Sequence, residues 1–143
     1  MGVFSFLKSA GKAVFGGKAA AEEPEKLKEE IAGVGVDAGG LDIVVVGDTV
    51  KLTGKAATQE AREKAILAVG NIEGVATVEE AIVVEASEPE SVFHTVERGD
   101  TLSAIARKHY GDANAYTKIF EANKPMLSHP DKIYPGQVLR IPG

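Results

Sequence analysis

Phe93-His94-Thr95-Val96-Glu97-Arg98-Gly99-Asp100-Thr101-Leu102-Ser103-Ala104-Ile105-Ala106 opens the C-terminal part of this 143-residue chain. Two later segments complete the pattern: Ile119-Phe120-Glu121-Ala122-Asn123, and Ile133-Tyr134-Pro135-Gly136-Gln137-Val138-Leu139-Arg140-Ile141-Pro142. Asp100 or Thr101 can cap a helix, since a short oxygen-bearing side chain accepts from the first free N–H groups. That helix is expected to end near Tyr110-Gly111, and Tyr116 to Asn123 forms a second. Tyr134-Pro135-Gly136 has turn chemistry and leads into the apolar run Val138 to Ile141.

In this order and at this separation, the three segments resemble a LysM domain. The resemblance implies strand, helix, helix, strand, with Val92 to Val96 pairing antiparallel to Val138 to Ile141. Ile105, Ala106, Ile119, Phe120, Val138 and Ile141 should make its core. It also implies a binding module rather than a catalyst. Glycan-binding LysM domains hold N-acetylglucosamine in a shallow groove between two loops. The matching loops here are Gly99-Asp100-Thr101-Leu102 and Ile133-Tyr134-Pro135-Gly136. Main-chain groups there would take the acetamide, and apolar side chains would pack on the sugar. The competing role for this domain is internal docking, which is favoured where no export signal is present.

Upstream, Ser87-Glu88-Pro89-Glu90-Ser91 reads as a polar linker. Before it, Leu41 to Val46 and Thr49 to Thr53 are β-rich runs joined by Gly47-Asp48, a tight hairpin. Val50 and Leu52 face one way, Lys51 and Thr53 the other. Thr58 can cap a helix running to about Val69, with Ala61, Ala65, Ile66, Ala68 and Val69 on its buried side. Gly70 is read as a left-handed residue closing that helix. A strand from Val75 to Val84 follows. From Glu22 to Ala32 lies a charged helix with Leu27 and Ile31 on its apolar face. Residues 3 to 15 show Phe4, Leu7, Ala10 or Gly11, and Val14 at helical spacing. A short helix is predicted there, ending at Gly16-Gly17 and docking Phe4 and Phe6 onto the next domain.

Composition excludes several classes. With 44% apolar and 26% charged residues the chain is an ordinary soluble protein, and no apolar run approaches the roughly 20 residues that span a membrane. Charge is uneven: residues 1 to 20 carry +3, residues 21 to 91 carry 16 acids and 6 bases, and residues 92 to 143 carry +2. A middle region at net −10 argues against nucleic acid or an anionic membrane and would attract cations. Cysteine is absent, which favours a reducing compartment. The first residues lack a basic region ahead of their apolar residues, and Lys8 and Lys12 break the run. Met1-Gly2 is not a myristoylation signal, because Phe6 stands where Ser or Thr is needed. A cytoplasmic monomer is expected.

Catalysis finds no support. The three histidines, His94, His109 and His129, are scattered in sequence with no metal-ligand spacing, and Ser103 has no plausible base. Zinc and copper lack their imidazole or thiolate sets, and the acids do not cluster as a calcium loop requires. A weakly polarising ion such as K+ makes a different demand, because main-chain carbonyls can replace its hydration shell. Val69-Gly70-Asn71-Ile72-Glu73-Gly74-Val75 ends a helix, where carbonyls are left free and the dipole is negative. A simple turn would explain the same residues.

The stretches Val46 to Gly54, Gly74 to Val78 and Ile82 to Val84 resemble a BON domain. A BON domain beside a C-terminal LysM domain, behind a Met-Gly-x-Phe-x-Phe leader, is similar to the small bacterial BON–LysM potassium-binding proteins. The resemblance implies an α+β protein of two small domains. Residues 1–20 would be a leader helix docked on the BON domain, 21–86 the BON domain, 87–91 the linker, and 92–143 the LysM domain. It implies K+ held by the main-chain carbonyls of Leu7, Lys8 and Ala10 in the leader and Gly70, Ile72 and Val75 in the turn, with Rb+ and Cs+ as substitutes. The expected function is a cytoplasmic K+ sensor or buffer in osmotic stress, in which the ion orders the leader and compacts the pair. The runner-up is an envelope protein that binds peptidoglycan.

Overall fold

Gly47 takes a left-handed φ of 63° and lets two strands fold back on one another, Leu41–Val46 (β2) and Thr49–Ala56 (β3). The computed structural model describes residues 2–7, 9–11, 24–86 and 89–142. Lys8, residues 12–23, and Ser87 and Glu88 of the linker lie outside the described residues. The β2–β3 register places Val44 opposite Lys51 and Val45 opposite Val50. Because successive side chains alternate faces, Val50 and Leu52 become fully buried while Lys51 and Thr53 stay exposed.

The chain then enters the helix Gln59–Gly70 (α2), capped by Thr58, whose hydroxyl accepts from Ala61 N–H at 3.0 Å. It returns in the strand Thr77–Val84 (β4), parallel to β3. A helix over Pro24–Gly33 (α1) packs against α2. Leu27 and Ile31 of α1, with Ala65, Ile66 and Val69 of α2, join Val50, Leu52, Val78 and Ile82 of the sheet in one core. The opposite sheet face is solvated, with a Lys51–Glu79 ion pair at 3.8 Å and the exposed valines Val44 and Val83.

The leader differs from expectation. Gly2–Ser5 is not helical; it is an edge strand (β1) antiparallel to β4, with Phe4 opposite Val78. The sheet order is β1-β4-β3-β2. Phe4 and Phe6 stand two residues apart, so a strand puts both rings on one face, against the core as expected. A helix would have splayed them. The Phe4–Leu7 spacing that suggested a helix fits either period over so short a run.

The second unit starts with Val92–Thr95 (β5) and the helix Leu102–Tyr110 (α3). Thr101 caps α3 by accepting from Ala104 N–H at 3.1 Å, and Gly111 ends it with φ 74°. A short 3-10 turn at Ala113–Ala115, the helix Tyr116–Ala122 (α4) and the strand Val138–Ile141 (β6) follow. β6 pairs antiparallel with β5. Val96, Ile105, Ala106, Ile119, Leu139 and Ile141 fill the core, with Phe120 partly buried beside it. Val138 is buried yet sits outside this cluster, because alternation turns Leu139 and Ile141 to the core and Val138 and Arg140 away from it. No helix of the described residues is long and apolar enough to cross a membrane.

Candidate functional site

Three segments meet at one end of α2. The first is the leader loop after β1. Phe6 N–H donates to the Ala76 carbonyl at 2.8 Å, and Ala10 N–H donates back to the Leu7 carbonyl at 3.0 Å, so the loop turns sharply. The second is the turn from Gly70 to Val75. Ile72 N–H reaches the Val69 carbonyl at 3.4 Å and Val75 N–H reaches the Ile72 carbonyl at 3.1 Å. The third is the Tyr134-Pro135-Gly136 turn of the second unit. Gly11, with φ 105°, lies against the Asn71 carbonyl so closely that no Cβ fits there. A Cβ at Gly136 would meet Leu7 Cδ2 at 2.7 Å and Ala10 Cβ at 2.8 Å.

Leader and turn share an open cleft of ≈ 530 Å³ bordered by Leu7, Ser9, Glu73 and Gly74. Among the described residues, the carbonyls of Ala10, Gly70 and Val75 accept no main-chain hydrogen bond. The carbonyls of Leu7 and Ile72 accept one each, which leaves each a second lone pair. The Ile72 and Val75 side chains are buried in the core, so these residues offer only their main chains to the turn. Gly70 is not left-handed as the sequence suggested; the residue that takes positive φ here is Gly74, at 100°. Glycine is needed at 70 because the Phe6 ring occupies the space of a Cβ.

Next to this junction the two units are bolted by buried polar groups that sequence reading missed. Arg140 of β6 donates through Nε to Glu63 Oε1 of α2 at 2.9 Å and through Nη1 to the Ala122 carbonyl at 3.0 Å. Glu63 also accepts from Gln59 Nε2 at 2.9 Å and from Ser91 N–H at 2.8 Å. Burial pushes the Glu63 carboxyl up, but these hydrogen bonds outweigh it and hold the group below the usual carboxylate range. Glu80, buried in β4, follows the same balance: burial raises it, while Arg62 and the Ile82 N–H lower it further. Phe4 of the leader packs on Phe93 of β5, ring centroids 5.0 Å apart and planes tilted by 42°. Asn71 reaches across as well: its Nδ2 donates to the Val138 carbonyl, and its Oδ1 accepts from Val138 N–H, both at 2.9 Å.

The strand end that leads into the first loop matched to a glycan groove is hydrogen-bonded to the end of the second. Val96 N–H donates to the Gln137 carbonyl and Gly136 N–H to the Val96 carbonyl, each at 2.8 Å. The first loop offers little side-chain surface for a sugar. Leu102 is buried in the core, and Asp100 is occupied with Glu97 N–H at 2.9 Å and His94 Nε2 at 3.1 Å. In the second loop Ile133 and Tyr134 are half-buried and Pro135 is exposed, while Gly136 is covered by Leu7 and Ala10. Burial also pushes the Tyr134 phenol up.

The histidines are less scattered in space than in sequence. His109 Nε2, from α3, lies 3.4 Å from His94 Nδ1, from β5, with the rings edge to face. His129 is elsewhere, its Nδ1 accepting from Asp131 N–H at 3.1 Å. Among the described residues, no group of three or more His, Cys, Asp or Glu could hold a metal ion.

Comparison with known proteins agrees with this two-unit architecture. The chain matches the family model of the BON domain over residues 24–86 and that of the LysM domain over residues 94–142. It is 48% identical over 147 aligned residues to the potassium binding protein Kbp of Escherichia coli O6:H1, with 99% of each chain covered. An uncharacterized protein of Deinococcus radiodurans is 54% identical over 50 residues, 35% of this chain and 19% of that one. The uncharacterized protein YqbP of Bacillus subtilis is 40% identical over 58 residues, 34% of this chain and 26% of that one. The first aligns from end to end, across both units, and the chain therefore belongs to the α+β, two-domain BON–LysM family that includes the Escherichia coli potassium binding protein Kbp.

Proposed function

We propose that this chain binds K+ at the junction of the leader and the α2 turn, through the main-chain carbonyls of Leu7, Lys8, Ala10, Gly70, Ile72 and Val75. The observation that carries the reading is the convergence of two carbonyl-bearing loops, one from the leader and one from a helix C-terminus, on a shared cleft. A helix C-terminus carries partial negative charge, and ring-like sets of carbonyls suit a large monovalent ion. Carbonyls cannot be deprotonated and carry no full charge, so such a site favours K+ over strongly hydrated divalent ions. The relationship to a potassium binding protein supports the same ion. Rb+ and Cs+, similarly large, are expected to substitute.

In this reading the protein acts as a cytoplasmic sensor or buffer of K+ under osmotic stress, not as an enzyme. Half of the proposed ligands lie on the leader, whose described residues meet the main body through β1 and this loop. An ion that binds the docked arrangement more tightly shifts the population toward it, and the leader in turn touches Gly136 of the LysM domain. K+ should therefore order the leader and compact the two domains as a monomer. Thermal melts in KCl, NaCl and choline chloride at equal ionic strength test the reading; equal melting temperatures in all three would overturn it.

A further inference from the structure

β6 has two main-chain positions that point away from β5, its one partner strand among the described residues: Val138 and Arg140. Each is closed by an asparagine side chain in the same way. Asn123, at the end of α4 in the same domain, donates through Nδ2 to the Arg140 carbonyl at 3.0 Å and accepts Arg140 N–H at 2.9 Å. Asn71, 67 residues away in the BON domain, makes the same two bonds to Val138. A carboxamide carries a donor and an acceptor on one planar head, so it mimics the edge of a neighbouring strand. The LysM domain thus completes one outward position itself and leaves the other to the BON domain.

Asn71 stands between Gly70 and Ile72, and its own carbonyl abuts Gly11 of the leader loop. One residue therefore has its main chain inside the turn and leader and its side chain clasped on the LysM strand. We infer that Asn71 is the residue that couples the ion turn to the LysM domain. Any reorientation of the Gly70 and Ile72 carbonyls turns the Asn71 peptide, and the rigid two-bond clasp passes that rotation to β6. Glu63 and Arg140 also bridge the domains, but Glu63 lies two helical turns back from the turn, and its bridge is fixed by Gln59, Ser91 and Ala122 instead. Asn71 is a positioning residue; its side chain touches no ion. The inference rests on the K+ reading above.

Amide hydrogen exchange on the full chain, in KCl and in NaCl at equal ionic strength, tests it. K+ is expected to slow exchange of Val138 N–H by about 5- to 150-fold relative to Na+, the usual span of coupling between sites. In Asn71→Ala, the K+ effect on α2 and β4 amides should remain while the Val138 response is lost. In Glu63→Gln the Val138 response should persist. Val138 exchanging alike in both salts while α2 amides respond would overturn the coupling, and so would an undiminished Val138 response in Asn71→Ala. The wild-type comparison decides by itself if Asn71→Ala does not fold. If no α2 or leader amide responds to K+, the ion reading fails, and the coupling fails with it.

Discussion

The ring of Phe6 lies where a Cβ of Gly70 would stand. Leader and helix end are thus fitted to each other by a missing side chain, and Gly70 is the last residue of α2, without a positive φ. The consequence runs against helix propensity. Gly→Ala in an exposed helix interior gains about 0.5–1 kcal/mol. Here Gly70→Ala is expected to cost about 1–3 kcal/mol, the usual penalty for overpacking, because the ring must be displaced. It should also shrink the difference between melts in KCl and NaCl, since displacing Phe6 moves the loop that follows it. A variant more stable than wild type, with its K+ response intact, would show that the leader does not dock there.

The K+ site should ignore side chains and depend on backbone. Binding of the folded state alone adds about 2.7 kcal/mol of stability at 100 times the dissociation constant. Lys8→Ala and Glu73→Ala should leave the K+-minus-Na+ melting difference nearly unchanged, since neither side chain is a proposed ligand. Deleting residues 2 to 10 should abolish that difference, and the difference is the measure to use because the deletion also removes β1. Rb+ and Cs+ should restore part of the K+ effect. A leader-deleted chain that still melts higher in K+ than in Na+ would place the site wholly within one domain.

How much of this could be read from sequence depended on how local each signal was. The Gly47-Asp48 hairpin, the Thr58 and Thr101 caps and the Gly111 stop all rest on a few adjacent residues, and the structure has each where it was expected. β1 was misread because four residues cannot distinguish period two from period 3.6, and its partner β4 lies over 70 residues away. The Phe4/Phe6 spacing was the signal available. The Glu63–Arg140 pair was not legible, since nothing in either neighbourhood announces a partner 77 residues distant. Asn71 was noticed only as a turn residue; that its side chain completes a strand follows from domain docking.

That ion pair has a defined cost. Arg140→Met should destabilise the protein by about 3–5 kcal/mol, because it strands the buried Glu63 carboxylate. Glu63→Gln paired with Arg140→Met should recover much of the loss. The pH dependence has a definite sign. Glu63 and Glu80 titrate lower in the folded chain than in the unfolded one. The stability they lend is therefore complete above the ordinary Glu value of about 4.3 and is lost as pH falls through their folded values. Melts from neutral pH downward should show a steep acid loss, and Glu63→Gln should make it shallower.

A separate, milder dependence is expected from His109. Burial and then the charges of His94 and Lys108 hold His109 below its ordinary value. The unfolded chain then binds more protons in the window just below about pH 6.5, so stability rises with pH there. Asp100 faces His94 from the far side and does not reach His109 by a hydrogen bond. His109→Gln should flatten the melting temperature between neutral pH and pH about 5.5 without touching the carboxylate transition below it. An unchanged slope would mean that folding does not disfavour the protonated form of His109.

The leader also decides what the LysM domain can offer to a glycan. Leu7 and Ala10 rest on Gly136, in one of the two loops matched to the N-acetylglucosamine groove, and Leu102 of the other loop is committed to the core. Full-length protein is therefore expected to be retained weakly, if at all, on purified peptidoglycan. Any retention should fall as K+ is raised, because an ion that holds the leader down holds it over the loop, and coupling between two ligands is reciprocal. Deleting residues 2 to 10 uncovers Gly136 and should raise retention in a K+-independent way. Pull-downs on cell wall in KCl and NaCl, with both chains, read this directly. Strong retention of the full-length chain, equal in the two salts, would favour an envelope glycan-binding protein over an ion sensor. Strong retention of the leader-deleted chain alone would instead show a competent groove that the leader covers.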